Sequence, residues 1–210
     1  MDSEAWNDRY RAATVWSGRP NAALVAHVPE PPEVGPDSPR PRALDLGCGE
    51  GADARWLAAR GWQVVGVDWA GVALDHARAA AREPDLQTQF DEGDETDTQF
   101  LAGLSPTGTF DLVTVGFVHP EPEDRAAMFA HLPGLLAPGG LLFVLAHDPE
   151  HGRRGLPGPP PHRLLSPQQV VEALDLPDDC SVELGTVHVR EAEGAVTAVD
   201  SVVLVRRANG

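Results

Sequence analysis

The sequence predicts a doubly wound α/β fold of seven strands, mostly parallel, with an antiparallel hairpin at the C-terminal edge. Three observations carry this expectation. From Arg42 onward, short apolar segments alternate with helix-forming ones. Residues 110–118 are apolar almost throughout, which suits a strand buried on both faces. Residues 181–189 and 195–205 instead alternate polar and apolar side chains, as a pair with one solvated face does.

Taken in order, residues 1–28 read as an N-terminal helical region. Trp6, Tyr10, Trp16 and Leu24 recur there at loosely helical spacing, gathering two of the five tryptophans and the only tyrosine. Such a segment either closes as a lid that excludes water or joins the core. Residues 29–41 carry six prolines, which remove donors and fix φ, so they read as an extended connector. The core, 42–148, opens with a strand at 42–46, a glycine-rich turn and a helix through Arg60. A second strand, 62–67, ends at Asp68, and a helix over 72–82 is closed by Pro84. A third strand, 86–90, enters the acidic turn 91–95. After the strand at 110–118, residues 123–137 predict a helix interrupted at Pro133-Gly134, and 141–146 a fifth strand. Residues 149–165 are expected as a substrate-side loop, with Gly and Pro clustered over 155–161. Ser166-Pro167 is a good helix start, an N-cap followed by proline in the first turn, for a helix reaching Leu174. The hairpin completes 166–210, and 1–210 reads as a single domain.

Composition excludes several functions. Sixteen basic residues face 32 acidic ones, a net charge of −16, and every basic residue is arginine. Without lysine there is no Schiff base and no P-loop lysine. Without a basic face, a sequence-independent grip on nucleic acid is not expected. Cys48 and Cys180 are too few for a disulfide framework or a zinc cluster. Among the eight histidines only His147 and His151 are four apart, and Pro149 and Gly152 argue against a helix there, so no metal is expected. The start Met1-Asp2-Ser3-Glu4 lacks a signal-peptide pattern, and the apolar run 141–146 is too short to cross a bilayer. These features predict a cytoplasmic protein, expected as a monomer or homodimer, without membrane or nucleic-acid partners.

The sharpest chemical signal is Asp45-Leu46-Gly47-Cys48-Gly49-Glu50-Gly51. A strand that runs into glycines and then a helix lets backbone approach a ligand closely. Gly47, Gly49 and Ala52 fit the dinucleotide pattern G-x-G-x-x-G/A, with Asp68 placed to hold a ribose. The same residues fit D-x-G-x-G-x-G, whose leading acid repels a pyrophosphate and attracts a cationic sulfonium. Asp45 therefore favours S-adenosylmethionine over NAD. An NAD-dependent oxidoreductase and a non-catalytic S-adenosylmethionine-binding protein are the alternatives.

Four blocks extend this signal: the segment 43–51, then Val65-Gly66-Val67-Asp68, then Phe110-Asp111-Leu112-Val113, then Leu135-Leu136-Ala137-Pro138-Gly139-Gly140. In this order and spacing they resemble class I S-adenosylmethionine-dependent methyltransferases over about residues 40–148. The opening Trp6-Asn7-Asp8-Arg9-Tyr10 and Trp16-Ser17-Gly18-Arg19-Pro20-Asn21 further resembles small bacterial members of the tellurite-resistance or thiopurine-methyltransferase type. The resemblance implies a Rossmann-like fold and methyl transfer from S-adenosylmethionine to a small-molecule acceptor. It places Asp45, Gly47, Cys48 and Gly49 at the methionyl part of the cofactor, Asp68 on the ribose hydroxyls and Trp69 on the adenine. Asp94, with Glu95 beside it, would receive the adenine amino group. Val115 would lie beside the methionyl group, and Trp16 in the covering segment. One departure is Ala70, where many relatives carry a serine that caps the next helix, so that cap must come from elsewhere.

Methyl transfer asks the protein mainly to hold nucleophile and methyl in line, and a base is needed only for an acceptor that arrives protonated. His119, just past the fourth strand, is the candidate catalytic base, with His147 second. Arg153-Arg154 could receive an anionic group on the acceptor, or form a solvated loop tip. Cys48 reads as a small residue filling the turn rather than as a nucleophile.

Overall fold

A computed structural model describes residues 3–35, 38–82, 86–104, 109–192 and 195–210. Pro84, expected to close a helix, and Pro36 of the connector lie outside the described residues. The chain divides into two compact units, Met1–Glu95 and Thr96–Gly210.

The first unit holds α1 (Ser3–Ala12), α2 (Ala22–His27), β1 (Arg42–Leu46), α3 (Ala52–Ala59), β2 (Gln63–Asp68), α4 (Gly71–Ala80) and β3 (Thr88–Glu92). β2 pairs in parallel with β1 on one side and β3 on the other. The register sets Leu46 beside Val67 and Asp68 beside Glu92, so the three strands deliver their acids to one end. The opening region is not one helix. Residues 13–21 separate α1 from α2 because their backbone is bound elsewhere: the amides of Val15 and Trp16 donate to Glu50 (3.1 and 3.0 Å), and that of Asn21 donates to Asp53 (2.7 Å).

α1 is packed rather than loose. Tyr10 is buried with Ala70 and Ala73 of the α4 region, and Trp6, Val15, Trp69 and Val72 pack around them. It also supplies the missing cap. Ala70 makes no side-chain cap to α4, but Asn7 Oδ1 accepts from the Val72 amide at 3.0 Å and Asp68 Oδ1 from the Ala70 amide at 2.9 Å.

The second unit holds α5 (Thr98–Leu104), β4 (Phe110–Gly116), α6 (Pro122–His131), β5 (Leu136–His147), α7 (Pro149–Arg153), α8 (Pro167–Leu174), β6 (Cys180–Ala192) and β7 (Ala195–Arg207). β4 pairs with β5 in parallel; β7 then pairs antiparallel with both β5 and β6. The strand order is β3-β2-β1-β4-β5-β7-β6, the Rossmann-like, mostly parallel sheet with an antiparallel edge that the sequence predicts. Among the described residues, no helix is long and apolar enough to cross a membrane.

Three local expectations are corrected. The helix expected over 123–137 stops at His131, passes through a 3₁₀ turn at Leu132–Leu135 and gives way to β5 at Leu136. Pro133 removes the amide that would extend the helix. The strand starts before the expected 141 because Gly139 adopts φ 76° and the β4–β5 pairing shifts register between Phe110 and Leu112. Residues 149–165 are not wholly a loop: Asp148 Oδ1 accepts from the Glu150 amide at 2.8 Å and caps α7, whose first turn tolerates Pro149. The signal at Ser166 holds, with a full capping box to Gln169. α5 had no counterpart in the sequence reading.

Candidate active site

In the first unit the glycine turn is built by backbone that other residues could not adopt. Gly47, Gly49 and Gly51 have φ of 71°, 53° and 73°. The amides of Gly47 and Cys48 donate to the Val67 carbonyl (2.9 and 3.0 Å), hooking the turn over the end of β2. Asp68 Oδ2 accepts from the Gly49 amide at 2.8 Å, so the predicted ribose acid also anchors the turn. A carboxylate has roughly four lone-pair sites, and two backbone donors leave room for ligand hydroxyls.

Acids crowd this turn. Asp45, Asp68 and Glu95 are all buried. Burial raises the Asp68 carboxyl above its ordinary value, against the two backbone hydrogen bonds that favour its charge. Glu95 is pushed up to about 8 by burial and then by the charge of Asp68, with Asp94 adding to it. Its Oε2 is buried without a hydrogen bond among the described residues. The Cys48 thiol is raised well above its ordinary range by burial, then by Asp45, Asp68 and Glu95. It is therefore a neutral thiol at physiological pH, a poor nucleophile.

Asp94 and Glu95 differ in placement. Glu95 is enclosed, whereas Asp94 is exposed and lines a cleft of about 410 Å³ with Ser3, Trp69, Glu92 and Gly93. Trp69 thus faces both that cleft and the Tyr10 cluster. Trp16, 49% exposed, donates its indole N–H to the Tyr10 hydroxyl at 3.0 Å. A Cβ at Gly49 would lie 3.2 Å from that hydroxyl and 3.4 Å from the Trp16 indole nitrogen. Aromatic side chains therefore close directly over the glycine turn.

Glu50 went unassigned in the sequence reading. It is buried, holds the Val15 and Trp16 amides through Oε2 and pairs with His76 Nδ1 through Oε1 at 3.0 Å. Its only sequence signal was an acid inside the glycine turn.

In the second unit, Val115 is buried in β4. Beyond the end of that strand Phe117 takes φ 56°, left-handed and costly for a non-glycine residue. His119 does not offer a free base. Its Nε2 accepts from the His147 amide at 3.2 Å, and the ring also bonds the Phe117 backbone. Burial and the neighbouring His147 lower it to about 3. In this arrangement the Nε2 lone pair of His119 is engaged by the His147 amide.

His147 is placed differently. Its Nδ1 lies 2.8 Å from Asp200 Oδ1, and Arg190 Nε binds the other carboxylate oxygen at 2.6 Å. Burial pushes the Asp200 carboxyl up, but the bonds from His147 and Arg190 outweigh it and leave the pKa below the ordinary value. An ionised carboxylate only accepts, so Nδ1 carries the proton. The His147 ring stacks on His151 at 4.1 Å and against Phe117 at 4.7 Å.

His147, His151 and Asp200 have donor atoms within 4.8 Å of one another, so the pair dismissed for want of a helix is brought together after all. His151 is committed on both sides, however. Nδ1 accepts from the Val199 amide at 3.2 Å and Nε2 lies 3.1 Å from the Pro157 carbonyl. Arg153 and Arg154 both bind Glu150, which reduces their value as an anion clamp.

Residues 43–140 match the family model described as a methyltransferase domain. The cypemycin N-terminal methyltransferase of a Streptomyces species is 34% identical over 143 residues, covering 64% of this chain and 52% of that protein. The trans-aconitate 2-methyltransferase of Methylobacterium radiotolerans is 35% identical over 133 residues, covering 62% of this chain and 44% of that protein. The chain thus spans about half the length of these curated relatives. The N-methyltransferase NodS from Bradyrhizobium japonicum WM9, solved with S-adenosyl-L-homocysteine, has a TM-score of 0.68 at 15% identity, covering 99% of both chains. Residues 43–140 are thus similar to a methyltransferase domain, and the chain shares the fold of this solved methyltransferase.

Proposed function

We propose that this protein transfers a methyl group from S-adenosylmethionine to a small-molecule acceptor. The observation that carries the reading is the set of buried carboxyls, Asp45, Asp68 and Glu95, around a turn of left-handed glycines. Burial, and then the charge of Asp68, raises Glu95 to about 8; a cationic ligand rich in hydrogen-bond donors suits such enclosed acids, while a pyrophosphate does not. When bound, S-adenosylmethionine supplies an electrophilic methyl on a sulfonium. Asp68 holds the ribose, Trp69 and Asp94 border the adenine, the Gly47–Gly49 backbone and Asp45 receive the methionyl part, and Trp16 with Tyr10 covers the turn.

A relative named for trans-aconitate supports the small-molecule acceptor, and another is named for the N-terminus of cypemycin. The aromatic opening segment favours the small bacterial tellurite-resistance or thiopurine-methyltransferase type within this reading. Two free cysteines fit a reducing cytoplasmic compartment, and the surplus of acid argues against nucleic acid.

Calorimetry with S-adenosylmethionine, S-adenosylhomocysteine and NAD tests the cofactor, and release of S-adenosylhomocysteine across thiols, amines, phenols and metalloid oxyanions tests the transfer. Binding of the first two without NAD is expected. NAD binding alone would replace the reading with an oxidoreductase, and binding without turnover on any acceptor would reduce it to a binding protein.

A further inference from the structure

Residues 13–19, which bring Trp16 over the glycine turn, are fastened by polar bonds rather than by burial. Only Val15 is partly buried there, and the other six residues are exposed. The Trp16 indole and the Tyr10 hydroxyl nonetheless lie directly against Gly49. Among the described residues, three side chains of the turn and α3 reach out to this segment. Glu50 Oε2 accepts from the Val15 and Trp16 amides at 3.1 and 3.0 Å. Arg55 donates to the Gly51 carbonyl at 3.2 Å and to the Gly18 carbonyl at 3.3 Å, bridging turn and segment. Asp53 Oδ1 accepts from the Asn21 amide at 2.7 Å. All of these residues belong to the first unit.

The three ties are unequal. Arg55 meets the neutral Gly18 carbonyl at an exposed position, where water competes for both groups. Asp53 holds Asn21, the cap of α2, beyond the segment itself. Glu50 grips Trp16 and its neighbour directly, and its carboxylate is 8% exposed. Oε1 lies 3.0 Å from His76 Nδ1 of α4, which fixes the orientation of the carboxylate. A segment that buries little apolar surface opens at the cost of its polar ties. Here that means breaking two bonds to a carboxylate, each stronger than a bond between neutral groups.

We propose that Glu50 is a positioning residue that latches residues 13–19 over the glycine turn, and that this latch sets how fast the cofactor is exchanged. This rests on the methyl-transfer reading above. Glu50 acts through Trp16 and needs no contact with the cofactor. Held in place, the segment obstructs passage to the turn in both directions, so a looser latch speeds entry and exit alike. Affinity, the ratio of the two rates, then changes little.

Stopped-flow tryptophan fluorescence with S-adenosylhomocysteine measures both rates. Glu50→Ala should raise association and dissociation together, each about 10–10²-fold, with Kd changed less than about threefold. Glu50→Gln still offers an oxygen to both amides and an NH2 group to His76, and should return both rates to within about threefold of wild type. Unchanged rates in Glu50→Ala overturn the latch. Faster release alone, with Kd weakened in proportion, also overturns it and would make Glu50 a contact of the ligand. Hydrogen exchange on the protein alone reads the latch without a ligand. The Val15 and Trp16 amides should be protected in wild type and lose that protection in Glu50→Ala. Unprotected amides in wild type overturn the latch even where Glu50→Ala does not fold. If wild type binds neither S-adenosylmethionine nor S-adenosylhomocysteine, the methyl-transfer reading fails, whereas the amide protection still decides whether Glu50 holds the segment.

Discussion

The first unit buries carboxyls around a glycine turn, whereas the second gathers imidazoles beside the buried carboxylate of Asp200. In the first, burial and then the charge of Asp68 push Glu95 up to about 8. In the second, His147 and Arg190 both hydrogen-bond to Asp200 and hold its pKa below the ordinary value, so it stays ionised. The lesson is that burial raises a carboxyl that lacks enough donors, whereas a buried carboxylate met by two donors keeps its charge. An under-compensated acid cluster invites a cation; a compensated histidine–aspartate pair fixes a tautomer.

The largest expected effect is on the first cluster. Asp68→Ala should weaken S-adenosylmethionine binding roughly 10²–10³-fold, since it removes charge-assisted bonds of about 1.5–3 kcal/mol each. Calorimetry checks it, and Asp68→Asn, which keeps an acceptor for the Gly49 amide, separates ligand loss from turn collapse. Unchanged affinity would break the contrast between the units.

Next in size is Gly51→Ala. A Cβ there would sit 2.9 Å from Ala77 Cβ at φ 73°, so urea melts should show a loss of roughly 1–3 kcal/mol. Gly155→Ala in the second unit, at φ 68° with nothing within 4 Å, should cost only the backbone strain, about 1 kcal/mol. Asn7→Ala removes the cap that α1 lends to α4 and should cost about 1 kcal/mol in the same melts.

The smallest effect is a change of slope, and it runs in opposite senses in the two units. Glu95 goes from an ordinary 4.5 to about 8 on folding, so its contribution is full below 4.5 and is lost as pH rises through 8. His119 goes from 6.5 to about 3, so its contribution is full above 6.5 and is lost as pH falls towards 3. Thermal melts of apo Glu95→Gln should flatten the fall in stability between pH 4.5 and 8, and those of His119→Gln the loss between pH 6.5 and 3. Matching slopes in both variants would erase the distinction.

Much of the first unit was legible because its signals are local. Gly47, Gly49 and Gly51 announce a turn that backbone sterics close to other residues, and Asp68 ends a strand whose apolar run is plain in the chain. The capping box at Ser166 is equally local. The extent of β5 was missed because Pro133 and Gly139 look like breakers, yet one ends a helix and the other sits in an irregular strand pairing.

Sequence alone therefore determined the fold class, the glycine turn and the acids that border it, since each follows from the periodicity and steric limits of neighbouring residues. The tertiary structure decided what distance along the chain conceals. Asn7 caps a helix 65 residues away, and Glu50 gathers the amides of Val15 and Trp16. It also gave two histidines that look alike in sequence different partners: His147 meets Asp200, 53 residues further on, through strand register, while His119 meets a backbone amide. A hydrogen-bond partner is fixed by where strands pair, and pairing between distant strands is a property of the folded chain.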